Sequence, residues 1–299
     1  MERRLLGACG DSTVPLRPWS NIIVGTLFSA LEIGRSGLLV SQVQLDTTGH
    51  NISNINTEGY TRQRVNTTSR TPSYQVYGAI GQGSKIDSVV RLRDSYLDGV
   101  LRQQLSDLEE ISCKTSYYAR LEDIFQEPTD LGFSTQLDNF FDTLNDFSSS
   151  VEEAPVREAL LTETQTMAES LNGIADRLDA MRTEANEEVR NLIPDINSLA
   201  EKIANANAAI RKVEATGSSA NDLRDSRDLM MDDLSKLVKV TYRERETGEL
   251  EVLLGGEQLV NGSTFRTLET VSDATIDPER SDLLAVQWSD TETAAQVTG

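Results

Sequence analysis

Histidine is almost missing from this chain of 299 residues: there is one, His50, beside two cysteines and an aromatic content of 5%. Cys9 and Cys113 stand in unrelated contexts, so a disulfide framework is not expected. With one imidazole and no cysteine pair, a zinc-type site has almost no raw material, and neither metal nor cofactor is expected. Long apolar runs are missing too: no stretch reaches the ~18 residues of a membrane span. Positive charge is scarce. Against 48 acidic residues there are 28 lysines and arginines, a formal net charge of −20. A phosphate backbone or an anionic lipid surface needs clustered positive charge, so nucleic acid and membrane are not expected partners. Charge of one sign suits a chain that stays soluble and monomeric until it reaches a site of assembly. Apolar residues spread along periodic stretches read as an elongated, mainly α molecule with a thin core, with length for about two domains.

What the chain does have is a seam. Val24, Leu31, Leu38, Leu45 and Ile52 recur every seven residues, interleaved with Leu27, Gly34, Ser41, Thr48 and Ile55. Branched apolar side chains hold one position and mostly small residues the other, the a/d pattern of a coiled-coil-type helix. So strict a stripe implies that another helix packs along it. The seam runs into Asn51, Asn54 and Asn56, then Thr57-Glu58-Gly59-Tyr60. Asn side chains compete for backbone hydrogen bonds and Gly tolerates positive φ, so the helix is expected to stop abruptly here.

That pairing resembles the axial proteins of the bacterial flagellum, the rod, hook and hook-associated proteins. Within the group, Tyr60-Thr61-Arg62-Gln63 is more typical of the hook-associated family at the hook–filament junction. The midchain run Asn221-Asp222-Leu223-Arg224-Asp225-Ser226-Arg227-Asp228, followed by Leu234, Leu237 and Val238, is similar to a second block of that family. The resemblance spans roughly residues 22 to 270. It implies a structural, non-enzymatic flagellar component, exported through the flagellar export apparatus by an uncleaved, unstructured N-terminus. The implied partners are further copies of the chain, the hook protein, the next hook-associated protein and an export chaperone. It also implies that the first helix folds against neighbouring subunits, with Val24, Leu27, Leu31, Leu38, Leu45, Ile52 and Ile55 as the assembly residues. The motif residues carried over are Asn51, Asn54, Asn56, Thr57, Gly59, Tyr60, Arg62 and Gln63. Two alternatives stay open: a secreted coiled-coil interaction protein, and another axial member such as a rod or hook protein.

Residues 1–20 have no h-region and no small-residue cleavage site, so no Sec signal is expected; they depart from the family's usual start and receive no fold. The expected organisation continues with the core helix and signature (21–60) and a joint with short extended segments (61–93). A helical bundle (94–238) and the start of an outer β-rich domain (239–299) follow. In the bundle, a helix is expected from about Asp94 to Phe125, closed by Pro128 and Gly132. A second runs from about Thr135 to Ser149, burying Leu137, Phe140, Phe141, Leu144 and Phe147. A third starts at Pro155, a residue suited to a first helical turn, after Glu152 and Glu153. Its apolar steps alternate four and three from Met167 to Val213, including Leu192, Ile196, Leu199, Ile203, Ala206 and Ile210. One stutter, Met181-Ala185-Val189, lies close to Pro194, so the main bend is expected between Met181 and Pro194. After a helix from Asp222 to Leu237 the period changes to two. Strands are expected at 239–245, 250–254, 258–260, 264–269 and 283–288, separated by Thr247-Gly248, Gly255-Gly256 and Asn261-Gly262 turns. The resemblance implies a longer polypeptide that returns through more helices; against it, this chain reads as a fragment or truncated product.

Candidates for chemistry are few. His50 lies within the motif and is expected to make a polar contact. Asp222, Asp225, Asp228, Asp232 and Asp233 have helical spacing without the loop and glycine of a calcium-binding turn. They are read as a helix start with Arg224 and Arg227 as local partners. Gly78 to Gly83 lacks the Lys-Ser/Thr and the strand-to-helix setting of a phosphate loop. Asn51-Ile52-Ser53 and Asn66-Thr67-Thr68 match glycosylation sequons, short matches that arise by chance.

Overall fold

The computed structural model describes residues 22–127, 129, 132–272 and 283–297, with the backbone alone for 22–27. Pro128 and residues 1–20 lie outside the described residues. Among the described residues the fold is mainly α, five helices with short antiparallel strands, and it divides into two compact units.

The first unit comprises the described residues through Asn56 together with Arg62–Leu92. Helix α1, Ile22–Ser53, ends where the asparagines begin. Strands β1 (Gln63–Ser69) and β4 (Ser84–Arg91) pair antiparallel, from Gln63↔Arg91 to Ser69↔Ser84, with an irregularity between Asn66 and Thr67. Between them β2 (Ser73–Gln75) and β3 (Gly78–Ile80) form a small hairpin. The stretch expected to be loops with short extended pieces is therefore more ordered: the pairing, spread over residues far apart in sequence, gives it a ladder that a local pattern does not reveal. Helix α1 packs on β1 and β4. Ser36 tightens that contact: its Oγ donates to the Ile33 carbonyl (2.8 Å) and accepts from the Ser84 N–H (3.3 Å). Gly83 passes the same hydroxyl with φ +87°, and a Cβ there would collide with Ser36 Oγ.

The second unit holds Thr57–Thr61 and the described residues from Arg93 onward. Helix α2, Ser95–Phe125, begins at Asp94, whose Oδ1 accepts from the N–H groups of Tyr96 (2.9 Å) and Leu97 (3.4 Å). A side-chain oxygen there satisfies donors that the first turn leaves open. Helix α3 is Phe133–Ser149. Its expected buried side is only partly covered: Leu137, Phe140 and Phe147 are half-buried, while Phe141 and Leu144 are exposed. Helix α4, Ala154–Glu214, runs 61 residues with Pro155 in its first turn and passes Pro194 unbroken. Pro194 is exposed, on the outer face as its spacing implied. Helix α5 is Asn221–Leu237.

Strands β5 (Val240–Glu244), β6 (Leu250–Leu254), β7 (Glu257–Asn261) and β8 (Thr264–Phe265) form a meander in sequence order. The strand expected at 264–269 is split, because β9 (Leu268–Ser272) leaves that sheet to pair with β10 (Leu284–Trp288). Gly248, Gly255, Gly256 and Gly262 take positive φ at the three expected turns.

The core lies where α4 meets α5 and the strands. Ile193, Ile196, Ala200, Ile203, Met231 and Leu234 pack with Val252, Leu254, Leu259, Val260, Leu268 and Trp288. On α4, residues 154–192 contribute no buried side chain; burial starts at Ile193. The buried columns are Ile196, Ile203, Ile210 and Ile193, Ala200, Asn207, whereas the pattern paired the first column with Leu192, Leu199 and Ala206. The covered face is thus shifted by one residue. Asn207 hides it in the sequence, being polar at a fully buried position.

Candidate assembly site

Helix α1 carries two stripes of alternating four and three. One is Leu31, Gly34, Leu38, Ser41, Leu45, Thr48 and Ile52, continuing as Ile55 past the helix end. The other is Ser29, Ile33, Ser36, Val40, Val43, Thr47 and His50, continuing as Asn54 past the helix end. Two residues along a helix turn the side chain by about 200°, so the stripes lie on opposite faces. The second packs on β1 and β4, with Ser36 and Val40 buried. The first, singled out by the sequence, faces outward: Leu31, Leu38, Leu45 and Ile52 are 69%, 74%, 72% and 67% exposed, and Ile55 76%. The side chains of Val24 and Leu27 lie outside the described residues. Covering these five large side chains would release roughly 10 kcal/mol gross at 1.5–3 kcal/mol each. Gly34 and Ser41 lie between them, and a Cβ added at Gly34 meets nothing within 4 Å. The outward face therefore alternates apolar ridges with open hollows that another helix can enter closely.

The signature closes the helix by hydrogen bonds. In the first unit, Asn51 Nδ2 donates to the Gln63 carbonyl (2.9 Å), and the Gln63 N–H donates back to Asn51 Oδ1 (2.8 Å). One side-chain amide thus acts as a strand partner for the first residue of β1. Asn54 Nδ2 donates to the His50 carbonyl (3.0 Å) and lies 3.4 Å from His50 Nδ1, so His50 makes the expected polar contact. The Arg62 carbonyl accepts from the Leu92 N–H (2.9 Å), extending the β1–β4 ladder, and the side chains of Asn56 and Arg62 are exposed. In the second unit, the Thr57 carbonyl accepts from the Tyr60 N–H (3.2 Å), and Gly59 turns at φ +76°. The Thr61 N–H donates to Asp225 Oδ2 on α5 (2.9 Å). The Tyr60 phenol is pushed up by burial, then by the Asp222 and Asp225 carboxylates.

The acidic run on α5 meets arginines from distant elements, beyond the local partners expected. Arg102 of α2, buried, donates from Nε to Asp232 Oδ1 (2.6 Å) and from Nη2 to the Asp228 carbonyl (3.2 Å), and its guanidinium lies 4.6 Å from the Tyr242 ring centroid. Arg93 reaches Asp98 (2.5 Å) and lies 3.6 Å from the Asp228 carboxylate. Arg224 pairs with Glu214 through Nε (2.7 Å) and Nη2 (2.9 Å), and with Glu244. Arg227, 1% exposed, donates to Asn207 Oδ1 (3.1 Å) and to the Gly248 carbonyl (2.6 Å), and burial lowers its pKa. Sequence reasoning missed Arg93, Arg102 and Asn207. A signal was present: Asp225, Asp228 and Asp232 are three and four apart, so they share one helix face and call for cations from another element. Among the described residues, no group of three His, Cys, Asp or Glu is placed to hold a metal ion. None of their helices is long and apolar enough to cross a membrane.

Two family models match this chain: "Flagellar hook-associated protein FlgK helical domain" over residues 118–299 and "Flagella basal body rod protein" over 31–61. Flagellar hook-associated protein 1 of Bacillus subtilis is 33% identical over 226 residues, 73% of this chain and 45% of that protein. Its namesake in Salmonella typhimurium is 27% identical over 261 residues, 86% of this chain and 47% of that protein. The chain thus spans about half the length of the relatives it matches. Among solved structures, the flagellar hook junction protein FlgK from Burkholderia pseudomallei superposes with a TM-score of 0.51 at 24% identity, over 69% of this chain and 34% of that one, a likeness of fold.

Proposed function

The chain belongs to the flagellar hook-associated protein FlgK family, and we propose that it is a structural component of the bacterial flagellum that acts as an adaptor at the hook–filament junction by self-assembly. The observation that carries this reading is the outward stripe of α1: an apolar heptad ridge left in solvent while the opposite face of the same helix is packed. Leu31, Leu38, Leu45, Ile52 and Ile55, with Val24 and Leu27 ahead of them, are its assembly residues. Copies of this chain and neighbouring axial proteins, the hook protein and the next hook-associated protein, supply the covering helices. Asn51 and Gln63 fix the direction in which the chain leaves α1. Export proceeds through the flagellar apparatus with a chaperone, and the chain works outside the cell, without a catalytic role. The rod-type match is confined to 31–61, while the hook-associated match covers 118–299, which favours a junction protein over a rod or hook subunit.

A Leu38→Asp substitution tests the reading. Placing a charge in the ridge is expected to abolish incorporation into flagella and motility while the circular dichroism of the purified chain stays unchanged. Normal motility in that variant overturns the proposal.

A further inference from the structure

The Thr57–Thr61 part of the signature is held in a way that helix termination does not require. Thr57–Thr61 belong to the second unit, where α5 receives them. Asp225, 5% exposed, presents Oδ2 to the Thr61 N–H at 2.9 Å. One turn on, Leu229 lies against Gly59: a Cβ there would stand 3.2 Å from Leu229 Cβ and 3.4 Å from Cδ2. Gly59 also has φ +76°, which L side chains rarely adopt, so the turn needs glycine for its backbone and for its approach. Asp225 and Leu229 are four apart and share one face of α5. A carboxylate this buried is costly unless a donor meets it.

We propose that Thr57–Thr61 is a docking peptide, that the Asp225–Leu229 turn of α5 is its receptor, and that Asp225 is the residue that positions it. Thr57–Thr61, the part of the signature that belongs to the second unit, and the Asp225–Leu229 turn of α5 are then two halves of one contact. The proposal rests on contacts inside the second unit and does not depend on the assembly reading.

Amide hydrogen exchange of the full chain tests it. In Asp225→Ala the Thr61 amide is expected to exchange about tenfold faster or more, the loss of a charge-assisted hydrogen bond, while α4 and β6 keep their protection. Asp225→Asn keeps an acceptor oxygen in place and is expected to return to within about threefold of the parent. Unchanged Thr61 exchange in Asp225→Ala overturns the proposal. Should that variant also loosen α4 and β6, Gly59→Ala decides, because it alters the peptide and leaves the receptor side chains intact. With the turn released, the Tyr60 ring, followed by NMR and assigned with Tyr60→Phe, is expected to titrate at the ordinary phenol value. A Tyr60 that keeps its raised pKa in Gly59→Ala overturns the proposal.

Discussion

Two asparagines show how much a single amide governs. Asn51 uses both ends of its side chain on one backbone residue, Gln63, and so joins a helix end to a strand start. Asn207 works at the centre of the second unit. Its Nδ2 donates to the carbonyls of Leu250 (2.9 Å) and Gly262 (2.8 Å), while its Oδ1 accepts from the Leu250 N–H (3.0 Å) and from Arg227 (3.1 Å). Leucine has the same branching and suits the apolar column, and on hydrophobicity alone would be an improvement. It would strand three backbone groups and take a partner from a buried cation. Asn207→Leu is therefore expected to cost about 3–5 kcal/mol, read as a lower urea midpoint. A midpoint at or above the parent would mean that water or relaxation replaces the network.

At the scale of elements, α1 has one exposed and one packed face, and substitutions two residues apart separate them. Val40→Asp puts a charge on the face against β1 and β4 and is expected to destabilise the first unit by about 3 kcal/mol. Leu38→Asp, on the exposed ridge, is expected to stay within about 0.5 kcal/mol of the parent in the monomer. Comparable losses in chemical denaturation would refute the two-face description. In α4 the exposed Pro194 removes one backbone hydrogen bond inside a helix that nonetheless continues. Pro194→Ala is expected to raise stability by about 1–3 kcal/mol and to straighten the stretch from Met181, seen as a higher melting temperature and a flatter curvature profile. These elements also mark what the sequence could reveal. The helices from Ile22, Ser95 and Asn221 and the glycine turns were legible, because caps, periods and positive-φ residues act locally. The outward ridge was legible as a pattern, but which face the chain itself covers depends on β1 and β4, and their long-range pairing leaves no local mark. The shifted burial on α4 was illegible for another reason: Asn207, buried by its hydrogen bonds, interrupts the apolar column.

Across the whole molecule, the net charge of −20 sets up two opposing responses to acid. As pH falls from neutrality toward the sequence pI of about 4.5, self-repulsion fades, which favours the compact state. Against this stand carboxylates that the fold holds in the ionised form. Hydrogen bonds from Arg224 lower the pKa of Glu214, those from Arg243 and Arg245 lower Glu251, and Arg266 lowers Asp290. Each has a folded pKa below its unfolded value, so its contribution is complete above that value, about 4.3 for Glu and 3.9 for Asp, and is lost as pH falls through the folded one. All three belong to the second unit. Its melting temperature is therefore expected to hold or rise slightly from pH 7 to about 5, then drop steeply below about 4. Glu214→Gln isolates one contributor. The neutral amide cannot pair with Arg224 as a carboxylate does, so the variant should melt below the parent at pH 7, and the gap should close as acid protonates Glu214 in the parent. Differential scanning calorimetry across that range reads the gap directly. A difference that stays constant from pH 7 to pH 3 would mean that Glu214 contributes through packing rather than charge, and that the acid limb arises elsewhere.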